Sequence, residues 1–409
     1  MRVILGIAAL ACTLAAQQKF DLLLKGGHVI DPKNNINRVM DVAIANRKIA
    51  RVADNIAVSD ARKTVDVSGL YVTPGLIDLH AHVYIWPEPG GEAVQADAHS
   101  FRSGVTTMVD AGSTGVQTFP DFRRRIIDRA KTRILALLNI ASAGMGTGKE
   151  DDLGGLDAEA AAKMAKAHAD VIVGFKSAHF AGPGWESVEN AVKAGNLTNL
   201  PVMVDFGRVN EKRNISTLFM DKLRPGDIYT HCYSGHRAEL LENGKLNPAM
   251  EAGRKRGIIF DVGHGAGSFY WYVAVPAYAQ RFPPDSISTD LHGGSMNAGM
   301  KDMTNVMSKI LNLGSSLEEV VRMSTWNPAK EIKRPQLGNL DPGAEADIAV
   351  LRVQRGTFGF VDSAGARNSG SQMIVPEMTL RAGKVMWDLN GRASESWKTF
   401  PYQKKIWTQ

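Results

Sequence analysis

Between positions 74 and 335 the apolar residues fall into short continuous runs, at 76–79, 105–110, 134–140, 171–175, 202–206, 228–232, 258–262 and 286–289. A strand covered on both faces reads as such a run, because neither face meets water. Longer amphipathic stretches separate the runs, among them 158–168, 186–194 and 300–311. Eight buried strands alternating with helices over roughly 250 residues predict an α/β fold, a (β/α)8 TIM-type barrel. A doubly wound open sheet is the competitor, but it does not normally need eight strands in succession.

The flanks carry a different pattern. Short strands are expected at 21–25, 28–30, 42–45 and 48–52, with Gly26-Gly27 as a turn and Asp31-Pro32 as a break. After Pro335 strand character returns at 348–351, 357–361, 373–375, 379–382 and 384–388. The two β-rich ends are expected to pair into one small β-sandwich domain. The division is then a signal at 1–18, a β domain begun at 19–73 and completed at 336–392, the barrel at 74–335, and a tail at 393–409. Trp397, Phe400, Tyr402 and Trp407 give that tail enough apolar surface to dock on the body or on a second subunit, so a homo-oligomer is one expectation.

At the start, Arg2 precedes an apolar run at 3–16, and Ala15-Ala16 precede Gln17-Gln18. This is the pattern of a secretory signal, predicting a periplasmic or secreted protein. The run is too short for a comfortable membrane span, and no stable membrane insertion is expected. Cleavage removes Cys12 and leaves Cys232 as the only thiol, so no intrachain disulfide is expected. The net charge of +6 is scattered, with clusters only at 123–125 and 254–256. No basic stripe with interleaved aromatics appears, which argues against nucleic acid and for a small-molecule substrate.

In a barrel the chemistry sits at the C-terminal ends of the strands. The first run, PGLIDLHAHV, ends in His80 and His82, whose side chains share one face at this spacing. Two imidazoles on one face can share a metal ion. The fourth run ends in Lys176, the fifth carries Asp205, and the sixth ends in His231. The seventh leads to His264, and the eighth ends in Asp290 with His292 after it. Taken singly, each is as well read as a polar group on a barrel rim. At matching places on successive strands, His80, His82, Asp205, His231 and Asp290 suit a divalent metal. Lys176 alone reads as a salt-bridged lysine. Buried, it loses its proton more readily, and the neutral amine can add carbon dioxide to form a carbamate able to bridge two metals.

The stretches PGLIDLHAH, THCYSG, DVGHGAGSF, STDLH, FGFVDSAG and VMWDLNGR resemble the amidohydrolase superfamily, and within it the amidohydrolase/deacetylase metallohydrolases related to dihydroorotases and D-aminoacylases. The resemblance spans nearly the whole chain after the signal. It implies a metal centre at His80, His82, Lys176, His231 and Asp290, with Lys176 carbamylated and one or two divalent ions, zinc above all. The fifth strand departs from the pattern, offering Asp205 where the family has histidine. Asp205 could hold a second metal, hold it less tightly, or leave a single-metal site. The implied reaction is hydrolysis of an amide or ester, removing a small acyl group from an acylated acid, with Asp290 moving the proton. His264, His292, His179 and Arg208 are the candidate substrate-binding residues, with stabilisation of its glycine-rich loop as the other reading of His264. A dihydroorotase-like cyclic amide hydrolase and a non-catalytic binding protein on the same scaffold are the alternatives.

Overall fold

The computed structural model describes residues 18–85, 92–146, 149–207 and 209–403. The expected signal, apart from Gln18 at its end, lies outside the described residues, as do Arg208 and Trp407.

The chain opens with β1 (Leu22–Asp31), β2 (Ile36–Ala45), β3 (Lys48–Ala53), β4 (Thr64–Asp66) and β5 (Tyr71–Pro74). The expected turn at Gly26-Gly27 is instead a bulge inside β1, where the register against β2 shifts between Leu24 and Gly27. Gly26 takes the left-handed conformation (φ 74°), and its N–H donates to Asp41 Oδ1 at 2.8 Å. The glycine freedom that makes a turn also lets one strand absorb an extra residue without ending.

Next come β6 (Leu76–Ala81), β7 (Val105–Ala111), β8 (Arg133–Asn139), β9 (Ile172–Ala178), β10 (Val202–Asp205), β11 (Ile228–Tyr229) and β12 (Ile259–Phe260). They form one parallel sheet in sequence order. The eighth run makes no extended ladder, but it bridges both edges: Ser286 pairs with Asp261 beyond β12, and Leu291 with Ala81 at the end of β6. The curled sheet is thereby closed. Buried carboxylates stitch the seam. Asp78 accepts from the Thr289 N–H at 3.0 Å and from its hydroxyl at 2.5 Å. Asp261 Oδ2 accepts from Thr230 and Ser288 hydroxyls at 2.8 and 2.6 Å. Ile77, Leu79, Val109, Leu135, Leu137, Val173, Met203 and Ile228 meet in one apolar cluster, which Ala329 and Ile332 cover.

The chain closes with β13 (Ile348–Val361), β14 (Arg367–Arg381) and β15 (Lys384–Asp388). The two ends do share a sheet. It has eight strands in the order β15-β14-β13-β5-β1-β2-β3, with β4 on β1, and the join is the antiparallel pair β5–β13. Its own core mixes both ends, with Leu24, Val42 and Val72 against Ile348, Val350 and Leu380. Strands expected separately at 348–351 and 357–361 are one bulged strand. The β13–β14 hairpin reaches to the helix Met303–Asn312, where Asn312 Nδ2 donates to Gln372 O at 2.7 Å and Ile374 N to Ser308 Oγ at 2.9 Å.

Candidate metal centre

His80 lies at the end of β6 and His82 directly follows it, and both are buried. His80 Nδ1 lies 3.0 Å from Thr230 Oγ1, and that hydroxyl donates to Asp261 at 2.8 Å. With the hydroxyl proton committed to Asp261, the ring must donate through Nδ1, and the Nε2 lone pair is left facing Asp290 Oδ1 at 3.3 Å. His82 is placed in the same way, with Nδ1 3.0 Å from Ser113 Oγ and Nε2 3.1 Å from Asp290 Oδ1. His231 Nδ1 donates to the Gly263 carbonyl at 2.5 Å, which turns its Nε2 toward Asp205. An imidazole held through one nitrogen presents the other to a metal in a set orientation. Burial, reinforced by Lys176, pushes the His80 imidazole well below its ordinary range, so it stays neutral as a ligand must.

Asp290 and His231 both turn through the left-handed region, with φ 50° and 63°. Such backbone is uncommon for these residues and persists only where the surroundings impose it. The glycine-rich stretch after β12 makes the room. A Cβ on Gly263 would stand 2.2 Å from Thr230 Oγ1, and one on Gly265 would stand 2.3 Å from Asp290 Oδ2. Burial alone would raise the Asp290 carboxyl, but His80, His82 and His231 hold it well below the usual carboxylate range. The ligand atoms of His80, His82 and Asp290 all lie within 4.8 Å of one another. Two imidazoles and an ionised carboxylate at that spacing fit a divalent metal.

Lys176 is buried beside them, Nζ 3.3 Å from His80 Nε2 and 3.5 Å from Met203 Sδ. Burial lowers its pKa against the pull of Asp205 and Asp290. Asp205 faces elsewhere. Its Oδ1 accepts a short hydrogen bond from Arg237 Nη2, while Oδ2 lies 3.3 Å from His231 Nε2 and 3.5 Å from His179 Nε2. Burial pushes this carboxyl up, yet Arg237 and His231 outweigh it and hold Asp205 well below the usual range.

His179 stands exposed at the rim, 3.3 Å from Glu150 Oε2, and that hydrogen bond pushes its imidazole up to about 9. His292 is also at the rim, with Nδ1 2.8 Å from Glu92 Oε2 and Nε2 3.9 Å from Asp290 Oδ2. His264 does not reach the centre as a substrate ligand. It is fully buried, stacked on Phe269 with centroids 4.6 Å apart. Lys309 Nζ donates to its Nε2 at 2.6 Å, and its Nδ1 meets Gly265 O at 2.9 Å. Both ring nitrogens are spent on the loop, which is the second of the two readings drawn from sequence. Thr230, Asp261, Glu150 and Arg237 escaped the sequence reading. Thr230 adjoins His231 and Asp261 lies inside the seventh run, whereas the last two carry no periodic signal.

A sequence profile described as the Amidohydrolase family matches residues 276–380. A deacetylase of Agrobacterium fabrum is 33% identical over 327 residues, covering 78% of this chain and 79% of that protein. The chain belongs to the amidohydrolase family. Among solved structures, this amidohydrolase is similar to an adenine deaminase, with TM-score 0.82 and 28% identity over 90% of this chain and 100% of that one. It is also similar to a dihydroorotase, with TM-score 0.77 and 29% identity over 89% and 98% of the two chains. The resemblance carried by the sequence motifs therefore stands, and the protein is a hydrolase.

Proposed function

We propose that this amidohydrolase is a metal-dependent deacylase that cleaves the amide or ester bond of a small acylated acid. The observation that carries the reading is the convergence of His80 and His82 on Asp290, each ring held through Nδ1 with Nε2 turned inward. A divalent cation held there, zinc being the expected one, supplies Lewis acidity and brings the pKa of a water toward neutrality. Asp290 takes the proton of the attacking water and returns it to the leaving group, a role open to a carboxylate that stays ionised. Lys176 is the seat of a carbamate, favoured by the burial that lowers its pKa.

The rim supports an acidic substrate. His179 remains cationic to about pH 9 and offers positive charge to a substrate carboxylate. The deacetylase named among the relatives supports a small acyl group as the part removed. The apolar run after Arg2 supports export, and no helix among the described residues is long and apolar enough to cross a membrane.

The test is acetate release by the zinc-loaded protein from a panel of N-acetyl amino acids and O-acetyl hydroxy acids, with dihydroorotate as the contrast. Turnover of the acylated acids is the expected result. Turnover of dihydroorotate alone would move the reading to cyclic amides. A protein that binds no stoichiometric metal would be a non-catalytic member.

A further inference from the structure

Once His80, His82 and Asp290 are taken as one metal's ligands, Lys176, Asp205 and His231 remain, and Asp205 and His231 do not fit a second ion. A carboxylate ligand must turn a free lone pair to the metal and tolerate its charge. Asp205 Oδ1 is taken by the Arg237 guanidinium, and Oδ2 already lies 3.3 Å from the His231 nitrogen that would complete the site. A dication placed there would lie beside a buried positive charge.

Arg237 is not a surface side chain that has swung inward. It is buried, its Nε donates to Phe206 O at 2.6 Å, and its guanidinium carbon stands 5.3 Å over the Phe206 ring. The turn that carries it is fastened independently. The Arg237 N–H donates to Glu239 Oε2 at 3.0 Å, and buried Glu239 accepts from Tyr229 OH at 2.9 Å and Ser234 Oγ at 2.7 Å. A guanidinium cannot lose its proton in a protein, so this charge is permanent.

We propose that Arg237 takes the place of a second metal ion. Its charge neutralises Asp205 and keeps a second dication out, and the centre is built for one metal at His80, His82 and Asp290. The proposal rests on the metallohydrolase reading above. Arg237 acts as a positioning residue: it holds Asp205, and through it the His231 ring, in an arrangement that does not dissociate when metal is removed.

Elemental analysis tests this. The full chain is loaded with Zn2+ and dialysed against metal-free buffer. One zinc per chain is expected for the wild type, and two for the double variant Asp205→His/Arg237→Gln, which sets a second imidazole beside His231 and removes the competing charge. Loaded with Mn2+, the double variant should give a spin-coupled paramagnetic resonance signal absent from the wild type. Two retained zinc ions in the wild type would overturn the proposal and leave the metallohydrolase reading intact, and this arm needs no variant to fold. A folded double variant still holding one zinc would overturn the role of Arg237. A wild type that holds none would overturn both readings together.

Discussion

His80 Nδ1 lies 3.0 Å from Thr230 Oγ1, and the same hydroxyl gives its proton to Asp261. This relay sets which nitrogen of His80 faces the centre. Thr230→Val keeps the shape and removes the acceptor, so metal affinity should fall by about 10- to 100-fold, as it does when the outer partner of a ligand is lost. Competition against a chelator of known affinity measures it. Unchanged affinity would mean that packing alone orients the ring.

His80→Ala and Asp290→Asn should each lower hydrolysis by roughly a thousandfold or more while the fold persists, since both act on the reacting groups. Circular dichroism controls for folding. Turnover at the wild-type rate in either variant would remove that residue from the mechanism.

Lys309 Nζ donates to His264 Nε2, Gly299 O and Val361 O at 2.6, 2.7 and 2.7 Å, beneath the β13–β14 hairpin. Lys309→Met would leave those buried acceptors without a donor and should cost about 3 kcal/mol. Urea unfolding reads the loss. His264→Asn should likewise lower stability while leaving KM nearly unchanged; a large rise in KM with stability intact would return His264 to the substrate site.

Burial raises Asp78 from the ordinary 3.8 to about 7. The native state then holds a proton that the unfolded chain has released, so stability from this group is complete below about pH 4 and is lost as pH rises to about 7. The full shift corresponds to roughly 4 kcal/mol. Metal-free wild type should therefore lose more stability between pH 5 and pH 8 than Asp78→Asn does. Equal losses would place the proton elsewhere.

The native protein should begin near Gln17, with the segment before it removed by export. Mass spectrometry of the N-terminus decides, and a chain starting at Met1 in the cytoplasm would contradict it.

What the sequence determined by itself is what depends on neighbours along the chain. A strand buried on both faces must be a continuous apolar run, so the barrel strands stand out wherever they lie. His80 and His82 are legible because two-residue spacing in a strand puts both rings on one face. Asp205 is legible as a departure from its family's pattern, but its partner is not. Arg237 lies 32 residues away in a loop, and nothing in local periodicity records which charge a folded chain will bring against a carboxylate. His264 is the same case. From sequence it is one more histidine at a strand end, and only Lys309, arriving from 45 residues further on, takes up the nitrogen a substrate would need. The bulge in β1 follows the rule too: two glycines permit a turn or a bulge, and pairing with β2 and Asp41 selects between them. Periodicity specifies which face of an element is buried, whereas the partner on that face is settled when distant segments pack, because hydrogen bonds and ion pairs act over ångströms of space and not along the chain.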